Sequence, residues 1–485
     1  MGIIINQSFK NLVTTYLGFG IGAINTLFLF TYFLEKEYYG LVSFLLSAAN
    51  LIWPFLVFGV NSTLIKFFTS YKTRNERDRL LNLVLLLPAI SAVVLGTFGL
   101  IFYEYLLDYF SGENDLVQPY IWLIFLIALA TSYFEVFFSW SKIYYKSAFG
   151  NLMKEVFHRL CISILLMLVF YRWISIPTFI YSIAGVFEFR TILMAMYAFS
   201  LHRPKLNFRF PKNLVPVLKY SALILIAASV ATVLLDLDKV MIEYYLPIEN
   251  VAIYGIAVYI ATVISVPQKA MHQITHPLTA EMLNKKDKPG LKELYERSSL
   301  NLLIVSGLIF ILIITNVNDL YALIPDEYRI SILVVLLISL VKLYDNFLGN
   351  NNSILFNSDY YRIVLGIGVI LVIVAVILNW IFIPEFGIEG AAMASFIAFF
   401  LYNTSKLILV YQKFRIHPFT RGSLWLLLIT LSFTIVFYYI DIFSMPILDI
   451  MVKSALTALT YITLIYKLNF SPEINGMINK FIKSS

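Results

Sequence analysis

The chain has 485 residues, of which 60% are hydrophobic and only 13% are charged. A soluble domain carries about 25% charged residues, so most of this chain is expected to lie in lipid. Because Cys161 is the only cysteine, an intramolecular disulfide and a paired-thiol redox motif are both excluded.

Fourteen runs of mostly apolar residues are long enough to cross a bilayer, which takes about 20 residues. Short loops join them, so the sequence predicts an all-α polytopic membrane protein with no folded domain outside the membrane. The runs lie at residues 11–34, 41–68, 80–103, 118–140, 156–172, 177–200, 217–246, 251–280, 299–317, 330–349, 362–382, 389–411, 423–440 and 447–466.

The loops alternate between basic and acidic along the chain. Loops rich in Lys and Arg face the cytoplasm, so both termini are expected to be cytoplasmic. The net charge of +7 is then a consequence of membrane topology, and no nucleic-acid partner is needed to explain it. The loops placed inside include 71–79, 142–159, 202–212, 284–297 and 411–421.

Charged side chains within the spans are the strongest functional signal, since each costs roughly 2.5–3.5 kcal/mol near the middle of a membrane helix. The densest group lies in the run LLDLDKVMIEYYL of the seventh segment. Helical spacing puts Asp236, Lys239 and Glu243 on one face, and Asp238 points nearly the opposite way. This group falls in the outer half of the segment, which favours an ion site or an outer gate. A packed ion cluster that only holds the helices together is an equal alternative.

Two other spans carry isolated charges. Arg190 and Glu188 lie near the middle of the sixth segment, and residues two apart do not face each other on a helix. Glu135 lies in the inner half of the fourth segment. Since Arg190 has no partner on its own helix, a role in a polar cavity is expected for it.

Segments 8 and 10 add a second set of charges. Lys269, His272 and His276 follow helical spacing and form one stripe on segment 8. The two histidines have the spacing of a metal-binding pair, but the stretch HQITH lacks the glutamate of HExxH and no third ligand is evident, so no metal is predicted. Lys342 and Asp345 on segment 10 are three residues apart, as a local ion pair would be.

The C-terminal region holds two features that are expected to be structural. Asp449 and Lys453 are four residues apart near the outer end of the last segment and form a predicted ion pair. The tail NFSPEINGMINKFIKSS predicts an amphipathic helix on the cytoplasmic membrane surface.

Enzyme signatures are missing from the sequence. It has no GxSxG, no phosphate-binding loop of the GxxxxGK[ST] type and no GxGxxG after a strand. The sequence therefore predicts neither an enzyme nor a bound organic cofactor.

Four stretches carry a resemblance to a known family. They are KNLVTTYLGFGIGAINTLFLFTYFLEKEYYGLVSF (10–44), FGVNSTLIKFF (58–68), LDKVMIEYYLPIENVAIYGIAVYIATVIS (237–265) and LNWIFIPEFGIEGAAMASF (378–396). Through them the chain resembles the polysaccharide exporters of the multidrug/oligosaccharidyl-lipid/polysaccharide (MOP) superfamily, the Wzx-type flippases. These are packing and turn patterns, so they indicate the family better than the substrate.

The resemblance implies two pseudo-equivalent six-helix bundles around a central cavity, followed by two more helices. The expected domains are 1–215, 216–412 and 413–485. It also implies a flippase that moves a polyprenyl-pyrophosphate-linked oligosaccharide across a bacterial inner membrane by alternating access, for O-antigen, capsule or exopolysaccharide synthesis. Membrane lipids and a polysaccharide polymerase or export machinery would be its partners.

The in-span charges are then assigned to two roles. Basic residues would hold the pyrophosphate, and acidic residues would bind a coupling H⁺ or Na⁺ or form a gate. The expected cavity residues are Arg190, Lys239, Lys269, His272 and Lys342. The expected coupling or gate residues are Asp236, Asp238, Glu243, Glu135, Glu188 and Asp345. Related lipid II flippases tend to have arginines in segment 1, whereas the polar candidates here are Asn11, Thr14, Thr15, Asn25 and Thr26.

Two other functions are weighed against this one. A MATE-like exporter of small cationic molecules would share the architecture but should have an acidic cavity, and the charge within these spans is nearly balanced. A membrane glycosyltransferase, polymerase or ligase would be expected to carry a large outer loop, and the outer loops of this chain are short.

Overall fold

The structure, a computed structural model, describes residues 2–110, 115–205, 209–329 and 331–484 of the chain. Every regular element among these residues is a helix. Because lipid offers no partner for backbone N–H and C=O groups, a chain this apolar is expected to satisfy those groups inside helices.

The apolar segments correspond to helices α1 to α14, and a further helix, α15, follows them in the tail. Their bounds are α1 (Gly2–Ile24, continued by Asn25–Leu29 and Phe30–Phe33), α2 (Lys36–Val57), α3 (Arg74–Ile101), α4 (Ile121–Ile143), α5 (Ser147–Leu152, Met153–Phe157 and His158–Phe170), α6 (Ile176–Leu201), α7 (Leu214–Tyr245), α8 (Glu249–Thr262, Val263–Ser265 and Val266–Asn284), α9 (Lys288–Thr315), α10 (Ile332–Phe347), α11 and α12 (Tyr361–Phe414, divided at Gly387), α13 (Arg421–Tyr438), α14 (Pro446–Leu468) and α15 (Pro472–Ser484). Shorter helices lie at Val60–Phe67, Phe68–Ser70, Tyr103–Phe110, Asp115–Tyr120, Val317–Ala322, Asp326–Tyr328 and Asn351–Phe356.

Ten helical stretches of the described chain are long and apolar enough to cross a membrane, and the bent helix α7 makes eleven. The number is below fourteen partly because α11 and α12 form one stretch, broken only by the backbone of Gly387 (φ 59°, ψ −138°). In addition, the longest α-helical part of α5 has 13 residues and α10 has 16. Each predicted segment nevertheless contains a helix, which confirms the all-α polytopic membrane fold.

Helix α5 begins earlier than its sequence suggests. The charged stretch 142–159 predicts a cytoplasmic loop, but α5 starts at Ser147 and continues through a π-helical turn at Met153–Phe157. The loop was wrong because several charges close together lower the average hydropathy of what is still one helix, whereas its cytoplasmic position stays a prediction. Lys154 consequently lies on a helix and not in a loop, together with Arg159, which the predicted segment 156–172 already contains.

Polar residues of α1 serve in its packing against α5. Asn151 donates a hydrogen bond to the Thr14 hydroxyl at 2.5 Å. The Asn25 amide donates to the backbone carbonyl of Arg159 at 2.9 Å and accepts from the Ser163 hydroxyl at 2.6 Å. Thr14 and Asn25, two of the polar candidates of segment 1, therefore take part in helix packing.

Contacts within the chain define two compact units. Unit 1 comprises Met1–Gly255 with Asn379–Gly387, and unit 2 comprises Ile256–Leu378 with Ile388–Ser485. By this criterion α7 belongs with the N-terminal helices, whereas the expected domain boundary at residue 215 separates them. The expected boundary at residue 215 separates two pseudo-equivalent bundles, whereas the units are defined by contacts. The expected domains therefore stay a prediction.

Two glycines let α2 approach its neighbours closely within unit 1. A Cβ atom on Gly40 would lie 2.1 Å from the carbonyl oxygen of Ile248, in the turn between α7 and α8. Gly59, in a left-handed conformation (φ +67°), lies so close to α7 that its Cβ would be 2.3 Å from the Ser221 carbonyl oxygen. The Ser221 hydroxyl itself is hydrogen-bonded to Thr63 at 2.8 Å. The close approaches of Gly40 to the α7–α8 turn, and of Gly59, just after α2, to α7, therefore have no room for a side chain.

Gly40→Ala is expected to destabilise the protein by about 1–3 kcal/mol, because the added methyl group overlaps a backbone atom and the helices must move apart. Gly99→Ala is the matched control, since no atom lies within 4 Å of the Cβ position there. Thermal unfolding in detergent measures both. A Gly40→Ala protein as stable as the Gly99→Ala protein would show that the close approach is not required.

The predicted pair of Asp449 and Lys453 is part of a larger buried cluster in unit 2. The Lys453 ammonium lies 2.7 Å from Asp449, 3.1 Å from Asp319 and 3.2 Å from Asp441. Lys453 is 1% exposed and Asp449 is fully buried. Asp449 also accepts hydrogen bonds from the backbone N–H groups of Ile442 and Phe443 at 2.7 and 2.8 Å. The cluster thus fixes the start of α14 to the loop before it and to the end of α9.

The tail forms the predicted helix, α15. Ser471 caps it by accepting a hydrogen bond from the backbone N–H of Ile474 at 3.2 Å. Arg297 of α9 pairs with Glu473 at 2.9 Å. The side chains of Met477 and the residues from 480 onwards lie outside the described part, and the position of α15 on a membrane surface stays a prediction.

Candidate functional site

The charged face of α7 is held by neighbouring side chains of unit 1. Lys239 lies 3.5 Å from Asp236, as the i,i+3 spacing predicts. Asp236 also accepts a hydrogen bond from Asn50 of α2 at 3.2 Å. Glu243, two turns along from Asp236, is only 2% exposed. These contacts hold α7 against α2, and a gate function for Asp236 and Glu243 stays a prediction.

Asp238 lies at a separate polar site, where α7, α8 and α11 meet within unit 1. Its carboxylate accepts a hydrogen bond from the Tyr254 hydroxyl at 2.6 Å and another from the Asn379 amide at 3.0 Å. The residue is only 7% exposed. This carboxylate, which accepts from a hydroxyl and an amide nitrogen, is a candidate for holding a proton or a small cation, because intramembrane acids commonly serve proton and ion relays.

Arg190 and Glu135 belong to one buried cluster on α4, α5 and α6. The Lys154 ammonium donates to Glu135 at 2.6 Å, and Glu135 interacts electrostatically with Arg190. The Arg190 guanidinium lies 4.2 Å from the ring centroid of Phe134 and 4.6 Å from that of Phe187. Such cation–π contacts stabilise a charge that is removed from water.

Positive charge exceeds negative charge in this cluster. Lys142 lies 3.7 Å from the ring centroid of Phe138 and also interacts with Glu135. Glu135 therefore faces three cations, namely Lys142, Lys154 and Arg190. In unit 1 the cluster is a candidate site for an anionic group, with Glu135 as its internal counter-ion.

Glu188 lies apart from this cluster, on another face of α6. It is half-buried, and no hydrogen bond or ion pair of its carboxylate occurs within the part of the chain that the structure describes. Its predicted coupling or gate role is thus separate from the Arg190 cluster.

A second polar cluster lies in unit 2 and is centred on Asp345 of α10. Asp345 accepts a hydrogen bond from Gln268 of α8 at 3.0 Å. One turn along α8, the His272 ring nitrogen Nδ1 lies 3.4 Å from the Ser353 hydroxyl. Lys269 lies between them in sequence and is exposed. The structure thus brings Asp345 and His272 to one region, and Lys269 lies on the same turn of α8 as Gln268.

Two lysines complete the unit 2 cluster. Lys406 of α12 is 2% exposed, donates to the Asn352 side-chain oxygen at 2.8 Å and lies 4.2 Å from the ring centroid of Tyr402. It interacts electrostatically with Asp345. Lys342 lies 5.3 Å from the ring centroid of Phe399 on α12. Lys269, Lys342 and Lys406 outnumber the single acid of this cluster.

Several residues of these sites carry no usable signal in the sequence. Lys406 is near the end of its segment, where a lysine ordinarily extends to the membrane surface. Lys154 lies in the stretch that predicts a loop. Asn50 and Asn379 are neutral and follow no motif, so only the structure shows them beside acids.

Within the described chain, one group of three acids could hold an ion, formed by Asp319, Asp441 and Asp449, and the Lys453 ammonium lies between them. His272 and His276 face Ser353 and Asn357, respectively.

The profile of the polysaccharide biosynthesis protein family matches residues 5–282, more than half of the chain. The chain belongs to this family. No curated protein matches it in sequence.

Solved structures show which fold the family member adopts. A structure of the lipid II flippase MurJ in an inward closed conformation matches with a TM-score of 0.71 and 14% identity, over 95% of this chain and 99% of that chain. A MOP superfamily transporter from Pyrococcus furiosus, described by the reverse polarity of its binding pocket, matches with a TM-score of 0.61 and 12% identity, over 85% and 95%. An inward-facing MATE family multidrug transporter matches with a TM-score of 0.59 and 12% identity, over 86% and 95%. At these identities the likeness shows the fold alone, which is that of the MOP superfamily.

Proposed function

We propose that this protein is a flippase for a polyprenyl-pyrophosphate-linked oligosaccharide, which it moves from the cytoplasmic to the outer leaflet of a bacterial inner membrane. Membership of the polysaccharide biosynthesis family supports a glycan substrate, and the fold supports a transporter working by alternating access. The product would be a repeat unit of a surface polysaccharide such as O-antigen, capsule or exopolysaccharide. A polymerase or export machinery would then take it up on the outer side.

The excess of lysines over acids in the unit 2 cluster is the observation that carries this proposal. The head group has to cross about 30 Å of hydrocarbon. Lys269, Lys342 and Lys406 would bind its pyrophosphate by charge-assisted hydrogen bonds, which are roughly twice as strong as neutral ones. The lipid tail could stay in the bilayer during this movement.

Unit 1 supports the same charge preference. Arg190, Lys142 and Lys154 surround Glu135, and the second nearby acid, Glu155, pairs with Arg159 at 3.5 Å, so the cluster has a net positive charge at neutral pH. A MATE-like transporter of cationic drugs would instead need more acidic than basic residues at its binding site. Arg190 and Lys406 are buried, and the cations of both clusters outnumber the acids, which favours an anionic substrate.

Depletion of the protein in its host tests the proposal. The lipid-linked oligosaccharide is expected to accumulate and to be inaccessible to a membrane-impermeant glycan label applied from outside. Restored expression should return it to the outer surface. Unchanged labelling after depletion would contradict the proposed function.

The movement is proposed to be coupled to a gradient of H⁺ or Na⁺ through Asp238. This carboxylate is buried, and Tyr254 and Asn379 hold it in place. A proton or ion that binds there changes the charge at the junction of three helices, which would bias the equilibrium between the two access states.

Asp238→Asn is expected to abolish the dependence of translocation on the ion gradient, leaving the rate that the wild type shows without a gradient. Asn has the same shape but cannot carry the negative charge. Asp326→Asn is the control, because that exposed residue lies in the short helix Asp326–Tyr328, pairs with Arg329 at 2.7 Å and is not among the expected coupling or gate residues. Translocation measured with and without imposed gradients decides the point. Full gradient dependence in Asp238→Asn would remove this residue from the coupling role.

A further inference from the structure

A cavity of about 780 Å³ lies at one end of unit 1 and shares no lining residue with the clusters described above. Lys72, Arg74 and Arg77 line it from the start of α3. His202 and Arg203 line it from the chain that follows α6. The volume falls in the range of small-molecule sites. The charge bias of the loops predicts that this end of the unit faces the cytoplasm.

The cations around this cavity are not neutralised by acids. Within the described ranges, no carboxylate forms an ion pair with Lys72, Arg74 or Arg203. Arg77 directs its Nε to the backbone carbonyl of Tyr71 at 2.9 Å, which orients the guanidinium and leaves its two terminal nitrogens for other acceptors. Arginine presents such nitrogens in a fixed fork that fits phosphate oxygens.

Asp78, an acid beside the cavity, is engaged with His202 and Lys205. It is 2% exposed and lies 2.6 Å from Nε2 of His202, and its other oxygen accepts the backbone N–H of Lys205 at 3.2 Å. Asp78 thereby fixes His202 at the wall, and its single negative charge is outnumbered by Lys72, Arg74, Arg77 and Arg203. No acidic residue of the described chain is among those that line it.

The backbone and an aromatic wall add to the anion preference. Helix α3 begins at Arg74, and the Thr73 hydroxyl caps it by accepting the Glu76 backbone N–H at 3.3 Å. The start of a helix carries partial positive charge. Tyr144 also lines the cavity, and burial raises the pKa of its phenol, so its hydroxyl stays protonated near neutral pH and can donate a hydrogen bond.

We propose that this cavity is a second anion site, which binds a ligand carrying a phosphate or pyrophosphate group through Lys72, Arg74, Arg77 and Arg203. The proposal goes beyond translocation, because the site lies in the loops at one end of unit 1 and uses none of the residues assigned to the transported head group. The phosphate can come from the head group of an anionic phospholipid in the adjoining leaflet or from a soluble phosphorylated compound.

The test measures binding to the purified full-length protein. In the first arm, inorganic pyrophosphate is titrated into protein in an uncharged detergent and followed by calorimetry. The double substitution Arg74→Gln with Arg203→Gln is expected to weaken binding at this site by about tenfold or more, since two charge-assisted contacts are removed. The control is Lys286→Gln with Lys288→Gln, which removes equal charge from the loop after α8 and from the first residue of α9 and should leave binding unchanged.

In the second arm, the protein is placed in nanodiscs of phosphatidylcholine with and without phosphatidylglycerol. If the wild type binds pyrophosphate more weakly in the anionic nanodiscs than in phosphatidylcholine alone, and the double variant shows no such difference, the lipid head group is the source. Equal binding in both nanodiscs would identify a soluble ligand.

Should the double variant fail to fold, the single substitution Arg203→Gln is expected to weaken binding measurably, because Arg203 lies outside any helix and its replacement should not disturb one. Absence of pyrophosphate binding by the wild type, or equal affinity of the cavity and control variants, would overturn the proposal.

Discussion

Lys453→Met is expected to destabilise the protein by about 3–5 kcal/mol, the cost of removing one partner from a buried ion pair. The substitution leaves the fully buried carboxylate of Asp449 beside Asp319 with no ammonium between them. Methionine has similar length, so the loss of charge is the main change. Thermal or denaturant unfolding in detergent, together with the yield of folded protein, measures the effect.

A second substitution separates charge from packing. Asp449→Asn added to Lys453→Met removes the uncompensated charge, and the asparagine oxygen can still accept the backbone N–H groups of Ile442 and Phe443. Much of the lost stability should therefore return. A double variant no more stable than Lys453→Met would show that the cluster stabilises the fold in some way other than through its charges.

Lys269→Gln is expected to lower translocation of the lipid-linked oligosaccharide by roughly 10- to 100-fold, which corresponds to the loss of one hydrogen bond between charged groups. Lys269 is an exposed cation of the unit 2 cluster, close in sequence to Gln268 and His272. Its replacement should therefore leave the fold intact. The rate is measured in proteoliposomes that contain equal amounts of folded protein.

Lys288→Gln is the matched control for this experiment. Lys288 is also exposed, but it begins α9 after the loop and belongs to neither cluster. Its substitution should leave the rate near that of the wild type. Equal rates for the Lys269 and Lys288 variants would remove Lys269 from the path of the head group.

The helical membrane fold could be predicted from the sequence because hydropathy over some 20 residues is a strong signal. The prediction failed at the start of α5, where Lys154 and Arg159 interrupt that signal. Their cost in lipid is offset by contacts that hydropathy does not record, such as the pairing of Lys154 with Glu135. Charges inside a helix bundle can thus conceal the beginning of a span.

The candidate sites were predictable only where their members share a helix. The spacing of Asp236 and Lys239 predicts their contact, and the structure has it. Asn379, by contrast, reaches Asp238 across 141 positions of the chain. Neutral amides occur throughout the sequence without a pattern, so their role follows only from tertiary packing. The contact between Lys406 and Asn352 likewise follows only from tertiary packing and could not be predicted from the sequence.

The central claim, an anionic glycolipid substrate, is tested most directly by translocation with purified protein. Proteoliposomes are loaded with a fluorescent polyprenyl-pyrophosphate oligosaccharide and, in parallel, with a fluorescent organic cation, and the movement of each is followed with a membrane-impermeant quencher. We expect the wild type to move the glycolipid head group faster than protein-free liposomes do, and to leave the cation unmoved. Transport of the cation without movement of the glycolipid would contradict the account and favour a MATE-like exporter.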